Sequence, residues 1–200
     1  MKRLFFLALL VGAPGLAIDP PSPNWPRPAD RGERLLRSAV LASHNAARRD
    51  FGVAPITWSD SLAAEAMAHA QHMARTGIYG HDRTAGRRSK SGENIWRGQR
   101  GLFSYETMVE VMVREGRLFR PGIFPNNSAN GRWQSVAHFT QIVWPTTTHV
   151  GCALASSPST DYFVCRYSPS GNRDGVYLAA GRAGSTAARS ARGGLAEGGN

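Results

Sequence analysis

The chain has 200 residues, two cysteines and a formal charge of +10. That length suits one domain with flanking segments. Apart from a short N-terminal run it holds no apolar stretch of the roughly 20 residues that a membrane-spanning helix needs, so no transmembrane anchor is expected. Arginine supplies nearly all of the positive charge, since Lys2 and Lys90 are the only lysines. No basic run alternates with aromatic residues as a nucleic-acid groove would require, so specific nucleic-acid binding is not expected. The charge reads first as a solvated basic face; an exported chain this basic would also be drawn to lipid headgroups or anionic cell-envelope polymers.

Residues 1–17 read as an export signal. Lys2 and Arg3 start it, Leu4 to Val11 form its apolar run, and Gly15-Leu16-Ala17 offers small residues for cleavage. The mature protein is then extracellular or periplasmic. Residues 18–30 carry five prolines and read as an extended linker. Asp30 is the expected N-cap of a helix through about Arg49, with an apolar stripe of Leu35, Leu36, Ala39, Val40 and Ala46 or Ala47. Gly52 and Pro55 break it. Ser59 is the expected N-cap of a second helix from Asp60 to about Thr76, with Gly77 as its stop. Residues 80–91 are polar and basic and read as a loop. Glu93 to Trp96 read as a short strand. Ser104 is the expected cap of a third helix through about Phe119, and residues 122–135 read as a long loop.

Phe139 to Trp144 reads as a short helix or an extended element closed by Pro145. His149 to Leu154 and Tyr162 to Tyr167 are rich in β-branched and aromatic residues and read as strands. Cys152 and Cys165 lie on them. An even pair in an exported chain reads as one disulfide, worth about 3 kcal/mol for so small a loop. Residues 179–200 hold Ala, Gly, Ser and Arg and are expected to stay disordered.

Six histidines are candidates for chemistry: His44, His69, His72, His81, His138 and His149. His138 sits in an otherwise apolar and aromatic stretch, where an unpaired polar ring costs about 1–3 kcal/mol. It therefore needs a partner. His69 and His72 share a helical face, but no glutamate follows His69 in a zinc-protease pattern, and packing roles are expected for them and for His44. His81 follows a glycine at a loop start, and Gly92-Glu93-Asn94 comes next. His81, Glu93, Glu115 and His138 form a candidate set. Imidazoles with carboxylates suit zinc or acid–base chemistry. No nucleophile elbow or phosphate-cradling loop is visible.

In order along the chain stand His44-Asn45 with Arg48, Pro55-Ile56-Thr57-Trp58-Ser59, Gly80-His81, Gly92-Glu93-Asn94-Ile95, His138-Phe139-Thr140-Gln141-Ile142-Val143-Trp144, Val150-Gly151-Cys152 and Cys165-Arg166-Tyr167-Ser168-Pro169. This series resembles the CAP superfamily of cysteine-rich secretory, antigen 5 and pathogenesis-related 1 proteins, also called the SCP domain. The resemblance implies an α+β fold, a single-domain three-layer α-β-α sandwich with a central cleft over residues 31–178. It also implies a metal-binding tetrad of His81, Glu93, Glu115 and His138, with Glu110 as the fallback for Glu115. The departures are Met112 for an aromatic residue, Ala137 for glycine, Asp82 for serine and Arg166 for asparagine.

The resemblance implies that the tetrad binds divalent metal, commonly zinc, as in some members; others bind sterols or fatty acids away from it, and a few are proposed proteases. The expected function is thus a secreted binding module, with zinc or another divalent metal in the cleft and a lipid or envelope ligand. The alternative is a metal-assisted hydrolase with Glu93 or Glu115 as general base. A third reading leaves the tetrad as a polar network that only satisfies a cavity.

Overall fold

A computed structural model describes residues 28–86 and 90–179. The expected signal segment 1–17, most of the linker and the tail beyond residue 179 lie outside the described residues. Helix α1 spans Glu33–Phe51 and helix α2 spans Asp60–Thr76. Strand β1, Thr57–Trp58, lies between them. Strand β2 (Gly92–Gln99), helix α3 (Tyr105–Arg114), strand β3 (Gly122–Ile123) and the short helix α4 (Ala137–Ile142) follow. Strands β4 (His149–Ser156), β5 (Thr160–Ser168) and β6 (Tyr177–Leu178) complete the chain.

The main sheet has the order β1-β4-β5-β2. β1 runs parallel to β4, while β4–β5 and β5–β2 are antiparallel. β5 is buried along nearly its whole length, because helices cover both faces. Its side chains alternate between two cores. Tyr162 and Val164 pack with Ala66, Ala70 and Met73 of α2. Phe163, Cys165 and Tyr167 pack with Leu36, Val40, Met108 and Met112 of α1 and α3. The result is an α-β-α sandwich. Cys152 and Cys165 face each other in the β4–β5 register and form the expected disulfide.

The boundaries of α2 follow local chemistry. Ser59 accepts from the Leu62 N–H at 3.3 Å, and Gly77 closes the helix in the left-handed conformation. Its alanine face lets it lie close to the sheet. At Gly151 of β4 the backbone meets the first turn of α2 so closely that a Cβ would collide with backbone atoms of Ser59, Leu62 and Ala63.

Elsewhere tertiary contacts move the boundaries. Asp30 is not the cap of α1. Gly32 holds that position, and no side chain caps the helix. The reason is an anchor. Arg31 pairs with the buried Asp161 at 2.9 Å and lies over the Tyr105 ring, while Ala29 donates to the Gly101 carbonyl. The segment is thus held extended past Asp30. The third helix ends as an α-helix at Arg114 and tightens into a 3-10 turn over Glu115–Leu118. There the Glu115 carboxylate is held by His138, and Gly116 lies flush against the Phe139 ring. β2 runs to Gln99 rather than Trp96, and the expected loop 122–135 contains β3, which pairs with β6. The apolar run around Phe139 belongs to α4, which begins at Ala137 and ends at Ile142.

Candidate functional site

Edge strand β2 organises the site. Glu93 and Ile95 point to the α2 face, and Asn94 points to the opposite one, as strand alternation requires. Glu93 Oε1 lies 2.8 Å from His81 Nδ1 and accepts the Asp82 N–H at 3.0 Å. Its side chain is 1% exposed, whereas that of His81 is 57% exposed. In the second pair, Glu115 Oε1 lies 2.6 Å from His138 Nδ1. Its Oε2 accepts the backbone N–H groups of His138 at 2.9 Å and Phe139 at 3.3 Å. The carboxylate thereby satisfies free donors at the start of α4.

The structure therefore joins the expected tetrad residues as two histidine–carboxylate pairs, His81 with Glu93 and His138 with Glu115. Asn94 links them in the chain and in space. It follows Glu93, and its amide donates to the His138 carbonyl at 3.1 Å. Both histidines meet their carboxylate through Nδ1. That contact places the Nδ1 proton in the hydrogen bond and leaves Nε2 as the lone-pair nitrogen. Glu110, the fallback, pairs instead with Arg114 on the exposed face of α3, at 2.7 Å. Among the described residues, no cluster of three or more His, Cys, Asp or Glu side chains has the arrangement of a metal site. Each carboxylate gives one oxygen to its histidine; the other meets Arg166 in Glu93 and the backbone N–H groups of His138 and Phe139 in Glu115.

A buried hydrogen-bond chain supports this arrangement from the core. Tyr167 accepts from Asn94 at 3.1 Å and contacts His44 Nε2 at 2.9 Å, and His44 Nδ1 contacts the Val40 carbonyl at 2.9 Å. The carbonyl can only accept, so His44 donates from Nδ1 and receives the Tyr167 proton at Nε2. Burial pushes the Tyr167 hydroxyl pKa up and keeps it a donor, against Asn94 and Arg48, which push it down. Burial also pulls His44 down to about 4; the Val40 hydrogen bond opposes this and Arg48 adds to it.

The sign of the His44 effect is definite. Its folded pKa lies below the unfolded value of 6.5. Its stabilising contribution is complete above pH 6.5 and is lost as pH falls toward 4, because the unfolded chain takes the proton first. The full loss is about 3 kcal/mol. Urea denaturation between pH 7 and 4.5 is expected to show a steeper loss in wild type than in His44→Gln. Equal slopes would contradict the assignment.

The remaining histidines hold structure. His69 Nε2 donates to the Gly80 carbonyl at 2.9 Å and stands 3.9 Å from Glu93 Oε2. His72 is exposed and stacks on His69. His149 is exposed beside Thr148. The run after His138 is its packed wall. Gln141 accepts the Gly171 N–H at 3.0 Å, and both Gly92 and Gly171 lie against its amide without room for a Cβ. Sequence reasoning noted Arg166 only as a departure. In the structure this buried guanidinium contacts Asp82 at 2.7 Å and Glu93 at 3.1 Å. Burial raises the Asp82 pKa, but hydrogen bonds from Thr84 and Arg166 outweigh it and hold the carboxyl below its ordinary range.

A separate groove of about 380 Å³ opens between α1, α2 and β4, beyond the end of β1. Leu36, Trp58, Ala63, Ala64, Met67 and Leu154 are among its lining residues, and no tetrad residue is. Among the described residues, no helix is long and apolar enough to cross a membrane.

A family model described as the cysteine-rich secretory protein family, CAP, matches residues 41–167. Pathogenesis-related protein 1A of Nicotiana tabacum is 35% identical over 136 residues, covering 68% of this chain and 76% of that protein. A pathogenesis-related protein of PR-1 type from Sambucus nigra is 33% identical over 134 residues, covering 66% and 75%. Two solved structures share the fold at 20% identity. BmVAL-1 has a TM-score of 0.62 and covers 78% of this chain and 87% of its own. NaASP2, solved with Zn2+, has a TM-score of 0.58 and covers 78% and 90%.

Proposed function

This chain belongs to the cysteine-rich secretory protein (CAP) family, and from that premise we propose that it is an exported binding protein whose cleft holds a divalent metal, zinc foremost, through His81 and His138. One observation carries the reading. Each histidine is held through Nδ1 by its own carboxylate, at 2.8 and 2.6 Å. This is the arrangement in which an imidazole presents Nε2 to a metal and the carboxylate raises its basicity. Glu93 and Glu115 orient the ligands, and water completes the coordination. That a fold neighbour was solved with Zn2+ accords with this reading. A bound zinc would supply Lewis acidity at the cleft.

The hydrolase alternative asks Glu93 or Glu115 to act as a general base. Glu93 is buried and paired with Arg166, and Glu115 is tied to two backbone N–H groups. Neither has an oxygen free for a substrate proton, which favours binding over catalysis.

Calorimetric titration of the purified mature protein with zinc is expected to give saturable binding that is abolished in the His81→Ala/His138→Ala variant. Identical titrations for the two proteins would contradict the assignment.

The second ligand of the proposal is a lipid acyl chain, seated against the apolar lining of the groove between α1 and α2, whose charged lining residues are Glu33 and Asp60. Ala64→Trp fills that groove. It is expected to weaken binding of a fluorescent fatty acid while leaving the zinc titration unchanged. Unaltered fatty-acid binding would place the ligand elsewhere.

A further inference from the structure

Two residues that depart from the family pattern, Asp82 and Arg166, are far apart in sequence and meet beside the first histidine pair. Arg166 stands directly across from Glu93 in the β5–β2 register. Its Nη2 donates to Asp82 Oδ2 at 2.7 Å and forms an ion pair with Glu93 Oε2 at 3.1 Å. The Asp82 backbone N–H returns to Glu93 Oε1 at 3.0 Å. The three residues close a ring of contacts around a guanidinium whose side chain is only 2% exposed. A cation buried to this degree is tolerated because two carboxylates face it. Removing it would leave those two anions adjacent.

The ring lies where orientation is hardest to hold. His138 is partly enclosed, and its carboxylate is also fixed by backbone N–H groups. His81 is 57% exposed. Its ring direction depends on how firmly Glu93 itself is held. We propose that Asp82 and Arg166 form a positioning unit that locks the Glu93 carboxylate and thereby keeps His81 with its proton on Nδ1 and its Nε2 facing outward. Neither residue touches the metal. The zinc consequence rests on the function proposed above, but the effect on the His81 ring does not.

Because the two act as one unit, exchanging both is expected to restore what exchanging one removes. R166N leaves Asp82 and Glu93 without their shared cation. D82S/R166N has one anion fewer, and the asparagine amide can donate to Glu93 from the same register position. The readouts are the 15N shifts of the His81 imidazole in metal-free protein at pH 8, which report the tautomer, and zinc affinity by calorimetry. Wild type is expected to show the Nδ1–H form. R166N is expected to show a mixture of tautomers and zinc binding weaker by about tenfold or more. The double variant is expected to return to within about twofold of wild type.

D82S alone removes one arm of the unit from a side chain that is 20% exposed. It carries the test if R166N does not fold, and is expected to broaden the tautomer mixture. A His81 signature unchanged in folded R166N or D82S, or losses that simply add in the double variant, would overturn the proposal. A tautomer shift in R166N in a protein that binds no zinc would support the positioning unit and remove the metal reading alone.

Discussion

Replacing Arg48 with methionine is expected to destabilise the protein by about 3–5 kcal/mol. Arg48 is fully buried, yet it faces carbonyls rather than a carboxylate. Its Nε donates to Ala54 at 2.6 Å. Nη1 donates to Ile142 at 2.9 Å and Trp144 at 3.0 Å, and Nη2 donates to Thr147 at 2.9 Å. The Ile142 carbonyl is at the last residue of α4, where no further helical N–H donates to it, and those of Trp144 and Thr147 lie in the turn that follows. A cation there also suits the helix dipole. Arg48 therefore pins the helix that carries His138 to α1. Methionine fills much of the volume but removes the donors to the Ala54, Ile142 and Thr147 carbonyls, while Trp144 keeps the Thr147 N–H. Lysine keeps the charge but lacks the planar fork, so R48K is expected to lose less. Urea denaturation at pH 7 checks both variants. A loss below about 1 kcal/mol for R48M, within the range of surface substitutions and weak contacts, would contradict this account.

Replacing Glu115 with glutamine is expected to weaken zinc binding by about 10–100-fold, the usual effect of losing an orienting partner of a metal-binding histidine. The carboxylate accepts three times, from His138 Nδ1 and from the backbone N–H groups of His138 and Phe139. An amide has one acceptor oxygen, and its NH2 group would face N–H donors. The variant must therefore abandon either the ring or the start of α4. The corresponding change at Glu110, whose partner Arg114 is exposed, is expected to leave zinc binding unchanged and to cost about 0.5 kcal/mol or less. Calorimetry on the two variants separates the two glutamates. Equal zinc affinities for E115Q and wild type would contradict the role given to Glu115.

What the sequence made legible depended on how local the cause was. The limits of α2 follow from Ser59 and Gly77, and its packing follows from its alanine spacing, all within one segment. The strands carrying Cys152 and Cys165 were readable from composition, and their disulfide from the cysteine count. The family resemblance named the four tetrad residues, and the structure pairs His81 with Glu93 and His138 with Glu115. The misread boundaries have distant causes. Asp30 looked like a cap because the Arg31–Asp161 anchor spans more than half the chain. The end of α3 depends on a histidine that arrives later in the chain. The link between Asp82 and Arg166 had no local signal at all, since each appeared separately as an unusual residue. Only the β5–β2 register brings them together.

The central claim is that two histidines bind the metal while their carboxylates orient them. X-ray absorption on the zinc-loaded mature protein tests this most directly. The account predicts two imidazole nitrogens at about 2.0–2.1 Å, with oxygen completing a shell of about four. It also predicts that the imidazole scattering disappears in His81→Ala/His138→Ala. A shell of oxygen alone in wild type, or imidazole scattering that survives in the double variant, would contradict it.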